Sequence, residues 1–321
     1  MTPSHVLVTR SLTAAAMSAA QRLPAPLVVL DDAPPDRAEL LRSARGAVAI
    51  VSLLTEQIDD VLFDAAGGQL RIVANVAAGV DNIDLEAAAR RGILVSNTPG
   101  VLDEATADLA FALILATTRR IVEADRFIRS AEQWIWGPKD WVGLQVSAGA
   151  TVGIVGLGRI GMAVARRAHA FGARIIATGS RSSGPEAAAL EVVPVGLDEL
   201  FETADVVTLH CPLTSETRGM VDAARLKSMR QGSYLINTGR GPLVDEDALA
   251  DALEEGRLAG AGLDVHENEP LVNERLRRSD RVVLLPHIGS AGAATRDAMG
   301  LLAVRNVAEV LAGRRPITPV D

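Results

Sequence analysis

Residues 151–161 read Thr-Val-Gly-Ile-Val-Gly-Leu-Gly-Arg-Ile-Gly, an apolar run followed at once by glycines at 156, 158 and 161. A helical pattern continues over Met162–Phe171, and a second apolar run begins at Arg174. No other stretch of the chain restricts the fold as sharply. A lone G-x-G-x-x-G is a weak signal, but between a strand and a helix it calls for a parallel βαβ unit with the glycine turn at the carboxyl end of its first strand. In such a unit Gly156 makes the tight turn, Gly158 lets the backbone approach a pyrophosphate, and Gly161 lets the helix pack closely on the strand. The helix start at Arg159 and Ile160 presents amide hydrogens and partial positive charge to phosphates.

The rest of the chain repeats this alternation. His5–Val8, Leu27–Leu30, Ala47–Val51, Leu70–Ala74 and Ile93–Val95 are predicted strands, with amphipathic segments such as Ser11–Arg22 and Leu85–Arg91 between them. Thr151–Val155, Arg174–Thr178, Asp205–Leu209, Ser233–Ile236, Gly262–Val265 and Val282–Leu285 form a second predicted set, and a last helix is predicted over Ala291–Ala312. Asp103–Ser130 is predicted as one long helix with a buried middle, and the Trp-, Gly- and Pro-rich stretch Trp134–Gly149 as an irregular connection between domains. Strand–helix alternation implies parallel sheets covered by helices on both faces. At ~150 residues per domain, 321 residues suggest about two domains.

Composition excludes several classes. A net charge of -8 argues against a general nucleic-acid or anionic-membrane binder, although one basic pocket for a small anion remains compatible. The single cysteine, Cys211, excludes a disulfide framework and a cysteine-built zinc site, and the five histidines do not cluster at metal-ligand spacing, so no metal is expected. No apolar run approaches the ~18 residues of a membrane span. The start Met1–His5 lacks a basic segment followed by an apolar signal core, so a cytoplasmic location is expected.

The end of the second strand of the phosphate-binding unit bears on the cofactor. NAD-binding units place Asp or Glu there for the ribose hydroxyls. Here the residues are Thr178-Gly179-Ser180-Arg181-Ser182, and the first acid is Glu186. A carboxylate would repel a 2′-phosphate, whereas Ser180 and Arg181 are able to bind one. NADP(H) is therefore favoured, with NAD(H) as the alternative should Arg181 be an ordinary solvated residue.

Three polar residues lie just beyond predicted strands of the second set, where open α/β sheets place ligands. They are Arg240 in Asn237-Thr238-Gly239-Arg240, Glu269 in His266-Glu267-Asn268-Glu269-Pro270, and His287 in Pro286-His287-Ile288-Gly289-Ser290. Each alone is compatible with a structural or solvated role. Together they suit carbonyl reduction. A histidine supplies a proton near neutrality, a carboxylate beside it favours the imidazolium, and an arginine grips a substrate carboxylate with paired hydrogen bonds.

With these motifs in view, the chain resembles the D-isomer-specific 2-hydroxyacid dehydrogenases over nearly its whole length. The resemblance rests on Val152–Gly161, Ile236–Leu249, Gly262–Pro270 and Pro286–Ser290. It implies two Rossmann-like parallel-sheet domains, a flavodoxin-like substrate domain (1–100 and 290–321) and an NAD(P)-binding Rossmann domain (101–289), with an active-site cleft between them. It implies that Arg240 orients the substrate, that Glu269 pairs with the histidine and that His287 donates the proton. Asp264 and Gly289 are implied near the nicotinamide, and the backbone around Cys211-Pro212 and Thr238-Gly239 against the cofactor, with Thr106 nearby. Cys211 is then a small packed residue and not a nucleophile. Ala78 and Gly79, in Val76-Ala77-Ala78-Gly79-Val80-Asp81-Asn82, are implied to offer backbone amides to the substrate carboxylate. Trp136, beside Trp134 and Trp141, is implied at a homodimer interface near the partner's site, or else as packing between domains.

Within the family the chain resembles in particular the glyoxylate/hydroxypyruvate reductases, including those that also reduce 2-ketogluconate, through Asn97–Leu102 and the sequence ending Gly313–Val320. The expected partner is a small 2-ketoacid or 2-hydroxyacid. It departs from the family pattern at His266, where an aromatic residue is common, and at Gly292, where Thr is frequent. Two other readings stay open: a phosphoglycerate dehydrogenase-like enzyme, and a dinucleotide-sensing corepressor-like binding protein on the same fold.

Overall fold

The structure is a computed structural model that describes residues 4–320. The chain divides into two compact units, one made of residues up to 102 with those from 290 onward, the other of Asp103–Gly289.

In the first unit, strands β1 (His5–Val8), β2 (Leu27–Val29), β3 (Ala47–Ser52), β4 (Ile72–Asn75) and β5 (Leu94–Ser96) form a parallel sheet ordered β2-β1-β3-β4-β5. β1 and β4 are buried along their whole length, as expected of strands covered on both faces. Leu7, Ile50, Val73, Leu62 and Phe63 are part of the core on one face. Aspartates start the surrounding helices: Asp36, Asp59 and Asp84 each accept a backbone N–H three residues on, which satisfies an otherwise orphaned amide. The helix Ala293–Leu311 packs against the helix Ala14–Ala20 so closely that a Cβ on Gly300 would lie 2.6 Å from the Ala16 Cβ. After it, Thr318 donates from its hydroxyl to the Asn97 carbonyl (2.6 Å) and the Val320 amide to the Val95 carbonyl (2.9 Å).

In the second unit, β6 (Thr151–Val155), β7 (Arg174–Thr178), β8 (Val193–Pro194), β9 (Val206–Leu209), β10 (Ser233–Asn237), β11 (Leu258–Leu263) and β12 (Val282–Leu284) form a parallel sheet ordered β12-β11-β10-β9-β6-β7-β8. The order reverses direction between β6 and β9, the switch point where such sheets open a crevice beyond their carboxyl ends. Both sheets therefore have the parallel α/β architecture that the alternation of the sequence implies.

Four local readings change. The stretch 103–130 is not one helix. It breaks into Asp103–Thr118 and Ile121–Arg129. The Thr118 carbonyl accepts from the Leu144 amide (2.9 Å), and Arg120 takes a left-handed φ of 54°, so the helical ladder cannot continue. β11 starts four residues before the predicted strand, in Leu258-Ala259-Gly260-Ala261. Gly260 and Gly262 hide that strand from an apolar count, yet they are what allows the helix Asp103–Thr118 onto it: a Cβ at 262 would lie 2.8 Å from Thr117 Oγ1. β8 is a short edge strand with no signal in the sequence, its Pro194 tolerated because an edge leaves amides unpaired. The irregular stretch 134–149 lies inside the second unit and not at its border.

Candidate active site

The glycine turn sits at the switch point, and the three glycines have separate reasons to be glycine. Gly156 has φ 92°, and a Cβ there would lie 2.6 Å from the Cys211 amide nitrogen. A Cβ on Gly161 would collide with the Gly156 carbonyl oxygen. Gly158 differs: its φ of −81° suits any residue and a Cβ would meet nothing within 4 Å. Nothing in the protein requires glycine at 158, so what the missing side chain leaves room for is a ligand. Gly158 is the cap of the helix Arg159–Ala170 and has no side chain to bond its first amides, which leaves them for an anion. Arg159 is exposed and Ile160 half-buried at this helix start. A cavity of about 550 Å³ runs beside the turn, lined among others by Gly158, Ser180, Arg181, Cys211 and Pro212. The residues present thus fit a dinucleotide.

Beyond β9, His210 is half-buried and lines the same cavity. Its Nε2 bonds the Thr208 hydroxyl at 2.9 Å and its Nδ1 faces the Thr238 hydroxyl at 3.5 Å. Burial alone pushes its pKa down to about 4. Burial also pushes the Cys211 thiol up to about 11; a thiol held neutral is inert as a nucleophile.

Beyond β10, the Asn237 side chain accepts from the Gly239 amide (3.0 Å) and donates to the Arg240 carbonyl (2.8 Å), which shapes the turn that carries Arg240. The Arg240 guanidinium donates to the Gly239 carbonyl at 2.9 Å. Beyond β11, the two carboxylate oxygens of Asp264 accept the Ile288 and Gly289 amides, each at 2.7 Å, and the Asp264 carbonyl accepts the His287 amide at 2.8 Å. Three hydrogen bonds from one residue hold the loop after β12 and keep His287 at a left-handed φ of 56°. Burial raises the Asp264 pKa above the ordinary carboxylate range, although those two amides and the charge of His287 act against it. Thr106 is buried against Gly289 on the neighbouring helix.

His287 Nδ1 bonds Glu269 at 2.9 Å to Oε2 and 3.2 Å to Oε1. Burial pushes the Glu269 carboxyl up, but the hydrogen bond and charge of His287 and the His266 amide outweigh it, and the net direction is down. Glu269 therefore stays ionised below the usual carboxylate range. With Nδ1 engaged, Nε2 is the ring atom left to work on a ligand.

In the first unit, the loop after β4 is held from one side. The Ala77 carbonyl accepts the Thr98 amide (2.8 Å), the Ala78 carbonyl the Asn97 side chain (2.7 Å), and the Gly79 carbonyl the Asn75 side chain (3.0 Å). In a trans peptide the N–H points opposite to the preceding C=O, so the Ala78 and Gly79 amides face away from Asn97–Thr98, as a carboxylate-binding pair must.

The second unit thus brings together Arg240, Asp264, Glu269, His287 and Gly289 with the glycine turn at one edge of its sheet. It does not bring in Trp136, which is 76% exposed. The sequence reading missed His210 and Asn237. The available signal was the same one that found Arg240: a polar residue ending an apolar strand. Among the described residues, no group of three or more His, Cys, Asp or Glu is placed to hold a metal ion, and no helix is long and apolar enough to cross a membrane.

Residues 111–289 match the family model of the D-isomer specific 2-hydroxyacid dehydrogenase, NAD binding domain. A glyoxylate reductase from Thermococcus kodakarensis is 50% identical over 291 residues, covering 89% of this chain and 86% of the relative. An NADPH-dependent glyoxylate/hydroxypyruvate reductase from Sinorhizobium meliloti, solved with NADP and malonate, is 36% identical with a TM-score of 0.85, over 100% of this chain and 97% of the other. A glyoxylate reductase from Paecilomyes thermophila is 33% identical with a TM-score of 0.88, over 100% and 99%. The chain belongs to the D-isomer-specific 2-hydroxyacid dehydrogenases. It is an oxidoreductase of 2-hydroxyacids that uses a nicotinamide dinucleotide.

Two predictions follow from this geometry. Gly158→Ala keeps the melting temperature and weakens dinucleotide affinity in a direct titration, whereas Gly161→Ala lowers the melting temperature itself; equal affinity in Gly158→Ala and wild type would reject the assignment of the turn. The second concerns acid stability. His210 is neutral in the folded protein down to about pH 4, while in the unfolded chain it binds a proton below ~6.5. The unfolded state then holds more protons, so stability falls as pH drops through this window. Thermal unfolding of His210→Gln should lose less between pH 7 and pH 5 than that of the wild type.

Proposed function

We propose that this chain is an NADPH-preferring reductase of small 2-ketoacids, glyoxylate and hydroxypyruvate foremost and 2-ketogluconate as a further substrate, yielding D-2-hydroxyacids. The observation that carries this reading is the His287–Glu269 pair at 2.9 Å on a loop clamped by Asp264. When bound, NADPH supplies the hydride that reduces the ketone carbon. Arg240 takes the substrate carboxylate in a charge-assisted, two-pronged contact and polarises the adjacent carbonyl; in the first unit, the Ala78 and Gly79 amides are backbone donors of the kind that take a carboxylate. His287 holds its proton at Nε2 and passes it to the oxygen as charge develops there. Glu269 fixes the ring by Nδ1, which leaves Nε2 for the substrate.

The cofactor preference rests on Ser180 and Arg181 at the rim of the cavity. Glu186, the first acid after β7, is engaged by Arg166 at 2.9 Å. A phosphoglycerate-type substrate would call for a further basic group, and none stands out beside Arg240. A corepressor-like role would need no turnover. In this reading the residues up to 102 and from 290 onward supply substrate groups, the rest holds the cofactor, and the protein works in the cytoplasm.

Initial rates crossing NADH and NADPH with glyoxylate, hydroxypyruvate, 2-ketogluconate, pyruvate and phosphohydroxypyruvate test all of this. Glyoxylate or hydroxypyruvate with NADPH should be fastest. His287→Ala should lower kcat by about 10²- to 10⁴-fold with cofactor affinity retained. Arg181→Ala should raise the KM for NADPH about tenfold or more and leave that for NADH in place. No turnover with any ketoacid would favour the binding-protein reading.

We also propose a homodimer. Ile121, Ile128, Trp134, Ile135, Trp136 and Val142 are exposed within one short stretch, and apolar patches of this density mark interfaces. Sedimentation should give twice the mass of the chain, and Trp136→Ala with Ile135→Ser should shift it toward monomer. A wild-type monomer at micromolar concentration would dismiss the dimer.

A further inference from the structure

The dyad chemistry above gives His266 no task. The residue is 5% exposed and is attached at two points, one through its ring and one through its backbone. Its Nε2 lies 3.0 Å from the Leu285 carbonyl, two residues before His287. Its backbone amide donates to Glu269 Oε1 at 3.1 Å. One residue therefore ties together the loop that carries Glu269 and the loop that carries His287.

The proton on this ring is decided by the acceptors around it. A carbonyl only accepts, so Nε2 must carry a hydrogen. A neutral ring would then have a bare lone pair on Nδ1. That atom is buried with no hydrogen-bond partner and lies 3.7 Å from Oε1 of Glu246, a carboxylate equally buried in the first turn of the helix Glu246–Glu254. Glu246 is itself held by the Glu267 amide at 3.0 Å. A lone pair facing a buried carboxylate is repulsive, and an Nδ1–H there is attractive. The charged and titratable groups on the elements packed around His266 are Glu246, Glu267 and Glu269, Asp264, His287, and Arg240 at the head of the turn whose Gly241 abuts the His266 backbone.

We propose that His266 is an imidazolium seated between Glu246 and the Leu285 carbonyl, and that it is a positioning residue which locks the Glu269 and His287 loops together and balances the charge of the dyad. The carboxylate of Glu246 lifts the proton affinity of the ring above its ordinary value and outweighs burial, which acts to lower it. The cluster then alternates in sign, from Glu246 through His266 and Glu269 to His287. Removing the charge on His266 leaves more negative charge near His287, which favours its protonated form. Reduction consumes that proton, so the alkaline limb of the reduction profile moves to higher pH.

The proposal rests on the reading of His287 and Glu269 as the reducing dyad, so its test has one arm that needs no turnover. Histidine-labelled protein contains five histidines, and substitution assigns each resonance. In the free wild-type protein, His266 should keep its second ring proton to a pH above ~6.5, and Glu246→Gln should bring that titration down. If His266 is neutral at pH 6 in the wild type, the proposal is overturned whatever the enzyme reduces. The other arm is the pH profile of glyoxylate reduction with NADPH. His266→Gln can still donate to Leu285 but carries no charge: it should keep most of the plateau kcat and shift the alkaline limb upward. His266→Phe keeps the backbone bond to Glu269 but loses the ring's bond to the Leu285 carbonyl and its charge against Glu246, and should lower kcat about tenfold, the scale of one charge-assisted hydrogen bond. A role in packing alone would lower the melting temperature and leave the limb in place, and that result in His266→Gln also overturns the proposal. If His266→Phe does not fold, Glu246→Gln and His266→Gln decide it.

Discussion

Parallel pairing gives every strand of a sheet the same direction, and therefore delivers every carboxyl end to one edge. In the second unit that edge collects the glycine turn after β6, Ser180 and Arg181 after β7, Cys211 after β9, Arg240 after β10, Asp264 after β11 and His287 after β12. Arg240, Glu269 and His287 each come from a different loop. The arrangement has a steric requirement, because each crossover helix must lie close on the sheet to return the chain to the other edge. Gly161 and Gly262 meet it, as their missing side chains let a helix or a carbonyl occupy the space. Gly156 meets the matching requirement at the switch point, against Cys211.

The carboxylates near this edge do different work because their surroundings differ. Asp264 accepts two loop amides and is a fastener. Glu269 faces an imidazole and is a charge partner. Glu246 lies underneath, against His266. His210, half-buried and bonded to hydroxyls, is kept neutral beside the cavity at the glycine turn. A chain of net charge -8 is compatible with an anionic substrate, since a single arginine acts locally where bulk charge does not.

Much of this was legible in the residues. The phosphate turn, both sets of alternating elements, and Arg240, Glu269 and His287 could be read from strand ends and spacing. What escaped reading depended on contacts between distant segments. The helix 103–118 stops because Leu144, twenty-six residues further on, takes the Thr118 carbonyl. β11 was read late because its glycines look like a loop until the helix packed on them is seen. His210 and Asn237 carried the same signal as Arg240 but gained meaning only from their partners.

The sequence by itself determined the parallel α/β class, the dinucleotide turn and the chemical types available for reduction, because these follow from local periodicity and from residues whose conformation or charge is intrinsic. Only the tertiary structure decided which ring nitrogen of His287 is engaged, that Asp264 clamps its loop, that Gly158 is spare to the fold, and that His266 faces Glu246. Each of these is a distance or a burial between residues far apart in the chain, and hydrogen bonding and desolvation act through distance and burial, not through order in the sequence.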